Sequence, residues 1–427
     1  MAAAIVFEEH STVLAHWRNR GVRGATLVCL DAHLDLQFID AARIERLARC
    51  GDGDAMRALE SPHPLHPFRD ACFGIEDFLY AASRLGIVRR LVWVAPPQVL
   101  AFGFATALAG LQQMEGVTIE QLESFRATRG GWLEGELLGL PMVIGTLPQL
   151  RAMKLEAPLL VDIDADYFVE VPQDRLWCSP VETCEALRDW LRGSHELTIA
   201  RSAGTGFMPP ALAGIAERIA ACWEGREEEP EPAPVEDDLL ATLGAVRARA
   251  QPLSLAQLMQ LQRRLDPWPA PPEKLAAAWV ALGLLHARFG RLADAVMCHA
   301  RSADGGEGHP ELALDIGRLL LVRGEAAQAR PWLDRASRDD ETRVQAWLLL
   351  ADAALQSGDA DTAAGHAQSA RRAAPAWTAP WPRLAAAAAL RGDREEERAA
   401  RSAGLALERR LAAVAARLAR TSASPAY

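Results

Sequence analysis

ATLVCLDAHLDL, residues 25–36, decides how this chain folds. Its first six residues, ATLVCL, are almost continuously apolar, as a strand covered on both faces must be. DAHLD follows at once. In extended backbone alternate side chains point the same way, so Asp31, His33 and Asp35 converge on one point. The carboxyl end of a parallel strand is also where open α/β sheets place their active sites. A second stretch repeats the arrangement: PLLVDIDAD, residues 158–166, is an apolar run ending in Asp162 and Asp164 on one face, with Asp166 one step beyond.

Working outward, further short runs read as strands: Ala4–Phe7, Arg90–Val94, Val117–Gln121, Met142–Ile144 and Leu197–Ala200, beside Ala25–Leu30 and Pro158–Ile163. Helical patterns separate them, which predicts an α/β domain with a mostly parallel sheet over residues 1–222. EGREEEPEPAPVEDD, residues 224–238, combines acid with proline, cannot bury anything, and reads as a linker. One or two helices are expected in Leu239–Leu265. The linker region, 223–273, ends at a second break, DPWPAPPEK.

From Lys274 to about residue 420 the pattern is wholly helical and periodic. Gly290, Gly324, Gly358 and Gly392 recur every 34 residues, the period of tetratricopeptide (TPR) repeats. Trp279, Leu282 and Gly283 with Ala295 match the local signature of such a repeat. So do Ile316 and Gly317 with Ala329, Trp347, Leu350 and Ala351 with Ala363 and Pro375, and Trp381, Leu384 and Ala385. Each glycine is expected to end the first helix of a pair in a left-handed turn. The charged fourth copy, RGDREEERAARS, reads as a capping repeat, and the final TSASPAY as frayed. Arrays of this kind present a concave surface to a peptide or protein segment. The acidic linker predicts that the two halves behave independently.

Composition narrows the function. At 427 residues the chain exceeds one ordinary core, and 50% hydrophobic with 24% charged residues excludes a disordered protein. A net charge of −10 argues against non-specific binding to nucleic acid or an anionic membrane. The seven cysteines are scattered without a CxxC pair, which argues against a disulfide framework or a zinc–thiolate site. The start, MAAAIVFEEH, lacks the features of a signal peptide, so a soluble, cytoplasmic protein is expected.

Carboxylates crowded at the mouth of an apolar sheet repel one another and are costly to desolvate, so they protonate or are neutralised by cations. Oxygen ligands with one or two imidazoles suit Mn²⁺, with Fe²⁺, Co²⁺ or Zn²⁺ as weaker alternatives. Either motif alone is also what a surface turn or a capped loop presents. Two of them, each directly after a buried strand, favour a metal centre.

DAHLD and DID together resemble the motifs of the arginase and ureohydrolase superfamily, which also places a histidine about 20 residues before the first motif; His10 lies in that position. EEHSTVLAHW, LVCLDAHLDL, FGIEDFLYAASRLGIVRRLVWVAPP, LVDIDADYF and LTIARSAGTGFMP resemble, more closely, the peptide arginases, which convert arginine to ornithine within ribosomally made peptides. The likeness covers roughly residues 4–215 and implies a three-layer α/β fold and two Mn²⁺ ions. It implies one ion on His10, Asp31, Asp35 and Asp162, and the other on Asp31, His33, Asp162 and Asp164. Asp35 would also aim the attacking hydroxide. An arginine-containing precursor peptide is then the implied substrate, and the repeats would hold that peptide, its leader or a protein partner.

Two departures stand out. Where arginases of free arginine carry a guanidinium-holding acid on a late strand, LTIARSAGTG offers Arg201 and Ser202. Glu76 or Asp77 in FGIEDF is the replacement expected, although either residue is equally an ordinary first-turn helix carboxylate. His63 and His66 in SPHPLHP are the nearest options for a proton shuttle. Competing readings are a ureohydrolase acting on agmatine, a formimino group or an acetylated amine, and a non-catalytic TPR scaffold.

Overall fold

A computed structural model describes residues 3–61, 63–66, 71–101, 103–170, 174–191, 195–212, 214–226, 238–248, 253–303 and 308–422. Most of the expected linker and the last five residues of the chain lie outside the described residues.

Among the described residues ten strands form: β1 Ala4–Phe7, β2 Ala25–Leu30, β3 Val88–Val94, β4 Arg126–Ala127, β5 Leu133–Leu137, β6 Leu140–Gly145, β7 Leu159–Asp164, β8 Val169–Glu170, β9 Arg175–Leu176 and β10 Leu197–Ala200. Eight make one sheet in the order β1-β10-β7-β2-β3-β6-β5-β4, while β8 and β9 form a small ribbon. The pairings from β1 through to β6 are parallel; β5 and β4 are added antiparallel at one edge. The sheet is covered on both faces, which explains its unalternating sequence. Leu27, Cys29, Leu91 and Trp93 enter one buried cluster. Their neighbours Val28, Leu30, Val92 and Val94 enter another, with the helices Pro180–Leu191 and Ile215–Glu224.

One expected strand is absent. Val117–Gln121 runs into the helix Ile119–Ser124, because Thr118 and Gln121 form a reciprocal capping box that satisfies the first-turn amides. The strand lies further on, in LEGELLGLPMVIG, where Leu138 (φ 51°) and Gly139 (φ 80°) turn β5 back onto β6.

The C-terminal half is helical. Pro272–Arg288 pairs with Leu292–Ala303, Pro310–Val322 with Ala326–Ala336, Arg343–Gln356 with Ala360–Ala373, and Pro380–Arg391 with Arg394–Ser422. Gly290, Gly324, Gly358 and Gly392 sit between the partners with φ from 68° to 78°. The pairing and the 34-residue period together resemble TPR repeats. Two further helices, Leu239–Ala248 and Leu255–Leu265, precede them and share their core.

The halves are not independent, contrary to the expectation from the linker. The last helix is 29 residues long, and instead of capping the array towards solvent it lies on the sheet half. Leu407, Val414 and Leu418 join the core cluster of β2 and β3. Arg410 bridges Glu120 and Glu123, Gly116 N–H donates to Ala373 O at 2.7 Å, and Arg343 pairs with Glu115. At the other end Gly206 and Gly244 cross so closely that a Cβ on Gly206 would lie 2.3 Å from Ala245 N. The array therefore spans the sheet half and is fastened to it at both ends.

Candidate metal centre

Four adjacent parallel strands, β1, β10, β7 and β2, bring their carboxyl ends to one edge of the sheet. Register sets the side chains: Asp162 lies between Cys29 and Thr198, and Asp164 opposite Ala200. Asp31 follows β2 directly, and His10 stands three residues past β1 in a short 3₁₀ turn.

The buried His10 ring is the hub. Nε2 lies 2.5 Å from Asp162 Oδ2, while Nδ1 is 3.3 Å from Asp31, 3.2 Å from Asp35 and 3.3 Å from Asp164. Five of the six expected ligands thus meet around one imidazole. The sixth, His33, is half-exposed at the edge of the cluster. Its Nδ1 is 2.8 Å from Asp166 Oδ2 and 3.9 Å from Asp31, and its ring packs edge-on against Phe207. Asp166 is thus a member of the constellation that no ligand assignment from sequence included; its alternation with Asp162 and Asp164 was the available signal.

Supporting contacts hold these carboxylates in place. Thr198 Oγ1 donates to Asp162, Ser202 Oγ donates to Asp164 Oδ2 at 2.7 Å, and His33 N–H donates to Asp31 Oδ1 at 2.7 Å. Asp35 (φ 44°) and Ser202 (φ 52°) hold left-handed backbone without being glycine, strain of the kind that collects at functional sites. Arg201 is turned away, paired to Glu217 and Glu8.

Electrostatics identify what the cluster lacks. Burial, then Asp35 and Asp166, push the Asp31 carboxyl well above its ordinary range. Burial and the neighbouring acids also raise Asp35 and Asp166, while bonds from His10 and Ser202 outweigh burial and lower Asp164. For His10, burial opposes charge, but Asp162, Asp164 and Asp31 together overcome it and hold the imidazole pKa well above its usual value. Among the described residues, Asp31 Oδ2 and Asp166 Oδ2 are buried and face nothing positive beyond the imidazoles of His10 and His33. Five carboxylates with only two imidazoles form a donor set deficient in positive charge, which suits hard divalent cations. The structure gives three groups with ligand atoms close enough for one ion: His10, Asp31 and Asp164; Asp31, His33 and Asp166; and His10, Cys29 and Asp162. Cys29 joins because it is the β2 residue registered against Asp162.

Glu9 was also missed. Its carboxyl has an oxygen buried without a partner, and burial, then Glu8 and Asp164, raise it well above the usual carboxylate range. Only the absence of a side chain at Gly204 makes room for it, since a Cβ there would lie 2.6 Å from Glu9 Oε1.

The expected substrate acids separate. Asp77 is tied down structurally: Oδ1 accepts from Gly74 N–H at 2.7 Å and Oδ2 faces Arg43 at 3.6 Å. Glu76 instead lines the cavity between sheet and array and accepts from Gln37 Nε2 at 2.8 Å. Neither His63 nor His66 belongs to the cluster around His10. His63 Nδ1 accepts from Leu65 N–H, and His66 lines the same interdomain region.

No family model and no curated protein matches the chain. Among solved structures, the chain is similar to YrrB, a TPR protein with an unusual peptide-binding site, at 14% identity and a TM-score of 0.33 over 43% of this chain and 90% of that one. No helix among the described residues is long and apolar enough to cross a membrane.

Proposed function

We propose that this chain is a metal-dependent C–N hydrolase that converts arginine side chains of a peptide to ornithine, releasing urea, within an arginase-like sheet domain. The observation that carries the reading is the convergence of Asp31, Asp35, Asp162 and Asp164 on His10 at the ends of adjacent parallel strands. His10, Asp31, Asp35, Asp162 and Asp164 would hold a pair of Mn²⁺ ions, with His33 and Asp166 at the outer edge. Such ions supply charge neutralisation and bring the pKa of a water towards ~7.

The chain's own residues do the rest. Water adds to the guanidinium carbon, the bond from that carbon to Nε breaks, and a proton passes to Nε, giving the ornithine amine and urea. Asp35 accepts a hydrogen bond from the attacking water and aims it. Glu76 lies in Coulombic reach of Asp35 and His33 and faces the positive charge of the substrate. Ser202 and Thr198 keep Asp164 and Asp162 oriented. The array shares the wall of the cavity that Glu76 lines, a position that suits a substrate presented on a peptide.

Protein supplied with Mn²⁺ and a panel of arginine-containing peptides should release urea, with the matching mass loss on the peptide. Absence of both across the panel, with the metal demonstrably bound, would sink the hydrolase reading.

A further inference from the structure

The sheet half and the helical array enclose two adjoining cavities of about 360 Å³ and about 300 Å³, which share Glu76 and Glu341 in their walls. We infer that this chamber binds the cationic end of an arginine side chain, with Glu76 contributed by the sheet half and Glu311, Glu341 and His309 by the array. The inference rests on the hydrolase reading and adds to it the recognition element: the repeats complete the substrate site itself.

The wall is short of positive charge. In the larger cavity four carboxylates, Glu76, Glu311, Asp315 and Glu341, meet two guanidiniums: Arg247, which hydrogen-bonds Glu311, and Arg318, which pairs with Asp315. Among the described residues the Glu341 carboxylate has no ion pair and no hydrogen bond, and the side chain of Glu76 has only the amide of Gln37. Burial first, then Glu311, raises the Glu76 carboxyl, while Glu341 lines the chamber from a solvent-exposed position. The cations on the far side are already engaged; Arg43, for example, pairs with Asp340 and Asp77.

His309 is a second and independent sign of a ligand. It is 5% exposed, it lines the chamber, and its Nε2 lies 2.9 Å from Pro64 O. A carbonyl oxygen only accepts, so Nε2 carries the proton and Nδ1 is left as an acceptor. That nitrogen is buried without a partner. An orphaned buried acceptor beside two uncompensated carboxylates calls for a ligand that brings several N–H donors and a positive charge. A guanidinium is such a ligand, and its planar fork suits paired carboxylates. Arg247 shows that this wall accepts one. Position completes the case, since Gln37, which lines the chamber and holds Glu76, is two residues from Asp35 of the metal cluster.

The test is binding by the full chain, with metal chelated to prevent turnover, to short peptides carrying a single arginine and to twins in which neutral citrulline replaces it. The arginine peptides should bind about tenfold more tightly or better, as expected for a cation in a partly desolvated acidic site. Glu341→Gln and Glu76→Gln should each remove most of that preference while leaving manganese content and melting temperature near wild type. Equal binding of the twins, including failure to bind either, overturns the proposal, and so does a Glu341→Gln variant that keeps the full preference. Urea release is scored separately. A charge preference without urea leaves the chamber standing and removes the hydrolase reading; urea without a charge preference does the reverse.

Discussion

The carboxylate cluster around His10 and the polar contacts across the seam between sheet and array are both made by charged and polar groups, yet they differ in how far apart their parts lie in the sequence. Each group in the cluster sits at the end of an apolar strand, and four adjacent parallel strands carry them to one edge. The seam joins distant pieces: Gly116 to Ala373, Glu115 to Arg343, Arg43 to Asp340, Pro64 to His309. A site made by strand ends inherits its geometry from the sheet, whereas a site made by docking inherits it from everything that holds the dock closed.

The largest expected effect lies at the cluster. Asp31→Ala combined with Asp162→Ala removes one carboxylate that follows β2 and one from β7, both facing His10. Bound manganese should fall to background and urea release by at least ~10³-fold, since metal-assisted hydrolysis depends on the ions. Far-UV circular dichroism should show the helical array intact. Retained metal in this double variant would place the ions elsewhere.

Next comes the seam. Leu418, fully buried against the sheet half, is ordinary in sequence, one leucine in a charged helix. Leu418→Asp buries a carboxylate with no partner and should cost roughly 3–5 kcal/mol, lowering the melting temperature of the whole chain. If the halves were independent, the sheet half would melt unchanged, and a scan resolving two transitions with only one displaced would refute the shared core. For the same reason, removing residues 273–427 should leave the sheet half aggregation-prone.

How much of this could be read from sequence follows the same division. The parallel strands, the glycines at a 34-residue period, and His10 with the four carboxylates around it were legible, because each is announced by its immediate neighbours. Val117–Gln121 misled because its β-branched residues outweighed the Thr118-x-x-Gln121 cap that starts a helix there. Asp166 and Glu9 were in plain view but looked like spare acids beside stronger motifs. Glu76 and Asp77 are adjacent and alike in composition, so only tertiary contacts could separate the one lining a cavity from the one held by Gly74 and Arg43. Nothing local distinguishes Glu311, in the first turn of its helix, or Glu341 from helix-start acids that favour the dipole.

That separation of Glu76 from Asp77 can be tested by pH. Burial pushes the Asp77 carboxyl up to about 7, with Arg43 and the Gly74 amide opposing and Glu76 and Asp340 assisting. Unfolded, it titrates near ~3.9. Between these values the folded chain holds a proton that the unfolded chain releases, so this group's contribution to stability falls as pH rises through the window. Asp77→Asn should therefore stabilise the protein by roughly 1–3 kcal/mol above pH ~7, with the gain vanishing below pH ~4. A variant destabilised at pH 8 would show that the pairing with Arg43 outweighs burial and that ionised Asp77 is part of the fold's balance.

The smallest effect tests the array by itself. Gly358 has φ 74° and open space where a Cβ would go, so Gly358→Ala meets no clash and reports only the left-handed backbone, about 1 kcal/mol. Gly206→Ala, at the seam, adds a collision with the backbone of the helix Leu239–Ala248 and should cost more. The shape of the denaturant curve matters beyond the size of the loss. A free-standing repeat array behaves as a chain of nearest-neighbour units, and a weakened turn would melt its own repeat early. Here the following repeat shares its buried residues with the sheet half, since Ala376, Leu407 and Leu418 lie in one cluster with β2 and β3. Gly358→Ala should therefore shift a single transition to slightly lower denaturant without broadening it. An early, partial transition confined to the tryptophans of the array would mean that the seam couples the halves too weakly to make them one cooperative unit.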